Sequence, residues 1–284
     1  VIARLGQNGI MKPSASLALS LLLAAPSALA PAAAPGGPRP GAGGYLAPAQ
    51  AEGLSAALPP PPAPGSPEAR ADARAVSEAL ASPASPRWRI AQADAELDPA
   101  SALSRFDCAL DARLEQGKPP ALTRLFTREL ADAVAAWTPL KTRWLRPRPT
   151  AALGLAPCVY QDPHAPPSSS YPAGNAVVAE LWGATLQALA PDRRATIQAQ
   201  VRRMGESRVV CGLHYPSDIA AGVRLGERIF AAIAETPAFR ADLEAGRLEL
   251  EAIRARGRTN PGCVAEAEAY SVVDQAGRGA VRAP

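Results

Sequence analysis

Apolar residues recur at three- and four-residue intervals through much of this chain, the spacing of a helix with one buried face. Leu122, Leu125, Phe126, Leu130 and Val134 mark the clearest such stripe. Before it, Pro67-Glu68 opens an Ala/Arg/Glu segment predicted helical to about Leu80, and Trp88 and Ile90 sit in a second, shorter helix. Pro99 starts a third, running through Phe106, Leu110 and Leu114 and ended by Gly117. A proline-rich loop is expected from Arg146 to Pro172, after which helices resume at about 174–190, 192–204, 216–235 and 237–255. No stretch alternates with period two for long enough to read as a strand. The expectation is all-α, a single compact helical domain over residues 67–256.

Flanking segments have a different texture. Residues 31–67 hold eleven of the 31 prolines, ending in Pro59-Pro60-Pro61-Pro62, so 33–66 reads as an extended arm rather than a packed element. Residues 257–284 read as a loose tail. From Met11 the chain runs MKPSASLALSLLLAAPSALA, with Lys12 as a basic start, an apolar Leu17–Ala25 and small residues at Ala28 and Ala30. That pattern predicts a leader and export signal over 1–32, and hence a periplasmic protein. Export would permit disulfides among Cys108, Cys158, Cys211 and Cys263, with all three pairings open.

Composition narrows the classes. The chain is 48% hydrophobic and 5% aromatic, enough for a core of small side chains. A formal charge of +4 with no long basic run argues against nucleic acid as a partner. No apolar stretch approaches the eighteen residues of a membrane span. Two histidines and no Cys-x-x-Cys spacing argue against a metal site.

Three short segments carry the chemistry. Lys141 opens KTRWLRPRP and is followed by Arg148-Pro149. SYPAGNA holds Pro172, Ala173, Gly174 and Asn175. GESRVVCGLHYPSD then places Ser207-Arg208, His214 and Asp218 in fixed succession. Singly these residues have dull accounts: a first-turn acid, surface arginines in an arginine-rich chain, a solvated histidine, a glycine easing a turn. In this order and spacing they are specific.

Together the segments resemble the bacterial class A non-specific acid phosphatases, within the superfamily of type 2 phosphatidic acid phosphatases and vanadium haloperoxidases. The family pattern is K-x(6)-R-P, P-S-G-H and S-R-x(5)-H-x(3)-D. GYLAPAQ, PPPP, SPRW and TPAFRADL extend the likeness over roughly residues 44–250. It implies that Lys141, Arg148, Ser207, Arg208 and the Gly174 amide bind a phosphate. Arginine forks and a helix N-terminus suit that task. It further implies that His214 attacks phosphorus through Nε2, giving a phosphohistidine, while Asp218 accepts the Nδ1 hydrogen. Substrates would be small phosphate monoesters, with inorganic phosphate or vanadate as inhibitors and no cofactor. Homo-oligomerisation is left open.

The middle segment departs from the pattern, with Ala173 for serine and Asn175 for the histidine that protonates the leaving alcohol. Asparagine cannot deliver a proton, and losing a general acid costs on the order of 100- to 10,000-fold. His164 is a candidate replacement, with Asp162 and Glu206 weaker ones. Three activities therefore stand: a phosphatase slow on alkyl phosphates, a phosphate-binding relative without efficient turnover, and a vanadate-dependent haloperoxidase.

Overall fold

Prolines that look like loop markers turn out to begin helices. In the computed structural model, which describes residues 43–114, 119–161 and 168–280 (side chains of 272–280 excepted), eight of twelve α-helices carry proline in their first turn. There the missing N–H costs nothing and the fixed φ is already helical. The segment read as an export signal, Asp162 and His164 lie outside the described residues.

In chain order the helices are α1 (Pro48–Leu54), α2 (Pro67–Ala79), α3 (Pro86–Ala93), α4 (Pro99–Ala102), α5 (Asp107–Leu110) and α6 (Pro120–Arg143). They continue with α7 (Pro149–Leu153), α8 (Gly174–Leu189), α9 (Arg194–Val210), α10 (Pro216–Ala234), α11 (Pro237–Arg254) and α12 (Cys263–Ala280). No strand occurs among the described residues, so the chain is all-α.

α8 is the central element. Thirteen of its sixteen residues are buried, and α6, α9, α10 and α11 surround it. Phe126 of α6 stacks on Trp182 of α8 with ring centroids 4.4 Å apart, and the Trp182 indole N–H donates to the Phe126 carbonyl at 3.1 Å. α10 approaches α8 closely because Gly222 and Gly226 face it. A Cβ at Gly222 would lie 2.6 Å from the Ala173 carbonyl oxygen, and one at Gly226 2.7 Å from that of Val177. This contact fixes the start of α8 against the start of α10, where the motif residues sit.

Four expectations need correction. The single helix from Pro99 to Leu114 is instead α4, a 3-10 turn at Leu103–Phe106 and α5. It stops at Leu110 because Asp111 adopts the left-handed conformation, φ 53°. The proline-rich arm is packed in part: Asp132 of α6 accepts from the Tyr45 and Leu46 amides, and the Tyr45 hydroxyl donates to Asp242 at 2.9 Å. A Cβ at Gly44 would collide with the Asp132 carboxylate, so glycine permits that approach. The helix predicted at 192–204 runs on to Val210, and its last turn carries Ser207 and Arg208. Finally, the tail predicted to be loose is α12, fastened by Cys108–Cys263 and by buried Tyr270. The second disulfide, Cys158–Cys211, ties the loop after α7 to the end of α9.

Candidate active site

The three motif segments meet where α6, α9 and the loop before α8 converge on the start of α10. Lys141 and Arg208 occupy the last turns of α6 and α9, helix ends whose carbonyl dipoles favour positive charge. Arg148 immediately precedes α7, and His214 lies two residues before Pro216, the first residue of α10. Gly174 is the first residue of α8 behind Ala173, whose methyl group leaves the first-turn amides without a side-chain cap.

His214 is 2% exposed, and both ring nitrogens are engaged. Nδ1 lies 2.8 Å from the Ser170 carbonyl oxygen, which can only accept, so Nδ1 carries the hydrogen. Nε2 then keeps its lone pair and takes a hydrogen bond from Arg148 Nη1 at 3.0 Å. Burial, followed by the charges of Arg148, Lys141 and Arg208, holds the imidazole well below its ordinary range. The ring is therefore neutral, with its unprotonated nitrogen facing a cation.

Asp218 does not take the Nδ1 hydrogen that the resemblance assigns to it. Its nearer oxygen is 3.9 Å from Nδ1, because the carboxylate is already committed. Arg146 Nη1 donates to it at 2.6 Å, the Ser170 hydroxyl at 2.5 Å and the Tyr215 amide at 2.9 Å. Burial raises its pKa against the pull of Arg146. Arg146 also bonds Asp72 at 2.7 Å and lies over the Tyr215 ring. Asp218 thus acts on His214 through its field and through Ser170, a residue that accepts from the ring and donates to the carboxylate.

The cations are desolvated. Lys141 Nζ donates to the Ser169 and Pro172 carbonyls, each at 2.9 Å, which docks it on the loop leading into α8. Burial and the neighbouring Arg148 push it down to about 7. Arg148 is lowered by burial as well. Arg208 is fully buried and pushed down to about 10; one Nη donates to the Ala91 carbonyl, and its Nε has no protein partner. Three cations around one neutral imidazole, with the local carboxylate already paired to Arg146, form a site that gains by receiving an anion with several acceptor oxygens.

Two motif residues face elsewhere. Ser207 points away from His214, accepting from Arg87 at 2.8 Å and donating to buried Asp94. Asn175 Nδ2 donates to the Ala95 carbonyl at 3.2 Å. Ser170, Arg146, Arg87 and Asp94 were not singled out from sequence. Only Arg146, inside the Arg-Pro-Arg-Pro run, carried a local signal.

Residues 125–241, spanning all three motif segments, match the PAP2 superfamily. The acid phosphatase of Zymomonas mobilis is 32% identical over 166 residues, covering 58% of this chain and 63% of that protein. The non-specific acid phosphatase of Providencia stuartii is 27% identical over 162 residues, 56% of this chain and 65% of its own. That of Salmonella typhimurium is 32% identical over 111 residues, 39% of this chain and 44% of its own. The matched region thus spans less than two thirds of each relative's length. Residues 125–241, which gather the motif residues at one buried cationic site, are thus similar to the PAP2 superfamily, and the chain is similar to proteins named acid phosphatase and non-specific acid phosphatase.

Proposed function

We propose that this protein is an exported, periplasmic acid phosphatase that hydrolyses small phosphate monoesters through a phosphohistidine on His214. The observation that carries the reading is the state of that ring. Nδ1–H is fixed by the Ser170 carbonyl, and Nε2 is unprotonated and turned toward Arg148. A phosphoryl group entering the site would take over the Arg148 fork, together with Arg208, Lys141 and the amides at the start of α8. Phosphoryl transfer needs chiefly such positioning and charge stabilisation. The Nε2 lone pair forms the N–P bond as the ester P–O bond breaks, leaving imidazolium at His214. Asp218 stabilises that charge at a distance. Water then attacks phosphorus, releasing inorganic phosphate and restoring the neutral ring. A histidine held below its ordinary pKa remains nucleophilic in mildly acidic medium, which suits an acid phosphatase.

Departure of the alcohol is the weak step. Asn175 occupies the position of the family's general acid and is bonded to the Ala95 carbonyl. It supplies no proton, so phenolic esters should turn over well and alkyl esters slowly. The same feature favours the second reading, a phosphate-binding relative with little turnover. Turnover of para-nitrophenyl phosphate by purified protein, with His214→Ala as comparison, tests the assignment. Loss of activity with the fold retained is expected. Wild-type turnover in His214→Ala would overturn the mechanism, and absence of turnover in both proteins would favour the binding role.

A further inference from the structure

Behind Arg208 lies a buried polar network that reaches α12. Asp94, the residue closing α3, is 1% exposed and receives three hydrogen bonds. These come from the Ser207 hydroxyl at 2.5 Å, Arg105 Nε at 2.9 Å and the Tyr270 hydroxyl at 3.1 Å. Ser207 adjoins Arg208 in sequence, and its oxygen is also held by Arg87. The last turn of α3 grips the neighbouring segments at further points: the Ala91 carbonyl accepts from Arg208, and the Ala95 carbonyl, just beyond, accepts from Asn175. Tyr270 belongs to α12, which Cys108–Cys263 ties to α5. Its ring is flanked by the guanidinium groups of Arg87 and Arg203, 5.0 and 4.8 Å from the centroid.

We infer that Asp94 and Tyr270 are positioning residues for the phosphate site, and that α12 is therefore part of the machinery that holds Arg208. The inference rests on the reading of Arg208 as a phosphate ligand. A fully buried guanidinium needs a counter-charge, and Asp94 is the carboxylate whose field sustains that of Arg208 against burial and against Arg87 and Arg148. The bond from Ser207 to Asp94 fixes the backbone from which Arg208 projects. Tyr270 and Arg105 hold the carboxylate to that task. A residue that merely filled space would change stability without changing how anion binding depends on pH.

The probe is tungstate, a phosphate-shaped dianion, measured as a competitive inhibitor and by calorimetry on the full, oxidised chain. Asp94→Asn keeps the shape and deletes the charge; Tyr270→Phe removes one hydrogen bond and leaves the carboxylate. We expect tungstate affinity to fall about tenfold in Asp94→Asn and about threefold in Tyr270→Phe. In Asp94→Asn the further loss of binding near pH 10, beyond the Lys141 range, should begin at lower pH, and Asp94→Glu should restore part of it. Arg208→Ala serves as the reference. If it abolishes binding while both network variants fold and keep wild-type affinity and pH profile, the inference is overturned and the phosphate site stands. If Arg208→Ala itself binds normally, the reading of the site fails with it. Should Asp94→Asn not fold, Tyr270→Phe decides by the same affinity criterion.

Discussion

On the proposed reading, Lys141 should make anion binding sensitive to pH near neutrality. Its ammonium is buried on two carbonyls beside Arg148, and its pKa in the free protein lies at about 7. A bound dianion restores the ordinary lysine value of about 10.5 or more, because it supplies the missing counter-charge. The sign follows by linkage. Below pH 7 lysine is charged with or without ligand, and affinity is at its plateau. Above pH 7 binding must take up a proton, so affinity falls by about tenfold per pH unit, roughly 100-fold between pH 7 and 9. Full coupling over the window is about 5 kcal/mol. His214 titrates well below this range and Arg208 at about 10, so neither distorts the slope. Tungstate keeps a constant charge here, and its inhibition constant against para-nitrophenyl phosphate, measured from pH 6.5 to 9, reads the effect directly. Calorimetry in buffers of different ionisation heat should show about one proton taken up at pH 8. Lys141→Arg should flatten the profile, since a guanidinium stays charged throughout. A flat wild-type profile, or the same slope in Lys141→Arg, would refute the argument.

Three further outcomes are expected. Asn175→His, best combined with Ala173→Ser, should raise kcat for an alkyl phosphate such as glycerol phosphate by up to about 100-fold, and less for para-nitrophenyl phosphate; equal gains on both would remove proton delivery as the cause. Gly222→Ala should cost several-fold in kcat/KM as well as stability, because its methyl group would strike the Ala173 carbonyl at the entrance to α8; wild-type kinetics would show that this contact yields freely. Reduction of both disulfides should lower denaturation midpoints substantially, since Cys108–Cys263 closes 155 residues and loop closure of that size is worth about 5 kcal/mol in the chain-entropy model. An unchanged midpoint after verified reduction would refute it.

Much of this fold was legible in apolar spacing. The helices α8, α10 and α11 begin and end within about a residue of their expected bounds, and the apolar stripe from Leu122 to Val134 falls inside α6, because each buries a long stripe against neighbours. The misreadings came where a local rule met a tertiary one. Proline density around residues 33–66 reads as extension, yet Pro48 opens a helix, and Asp132 anchors the preceding turn from far along the chain. The tail was too polar to read as packed, but a disulfide and one buried tyrosine suffice to dock it. Within the site, motif spacing identified His214, Arg148, Arg208 and Lys141, which the fold gathers together. It could not show that Ser170 takes the Nδ1 hydrogen or that Arg146 occupies Asp218, since both depend on a loop folding back over 23 residues or more.

Cys108–Cys263 has a consequence for when the protein becomes competent. The parts of the phosphate site are spread along the chain: Asp94 comes early, Lys141 and Arg148 in the middle, Arg208 and His214 later, and Tyr270 almost last. A chain emerging in order of synthesis can pack α6 against α8 long before α12 exists. The support behind Arg208 is completed only when α12 arrives and its cysteine is oxidised onto Cys108. On the proposed reading, anion binding would then report on whether α12 has docked and its cysteine is oxidised, and a reduced chain would carry the motif residues without the grip that makes them a site.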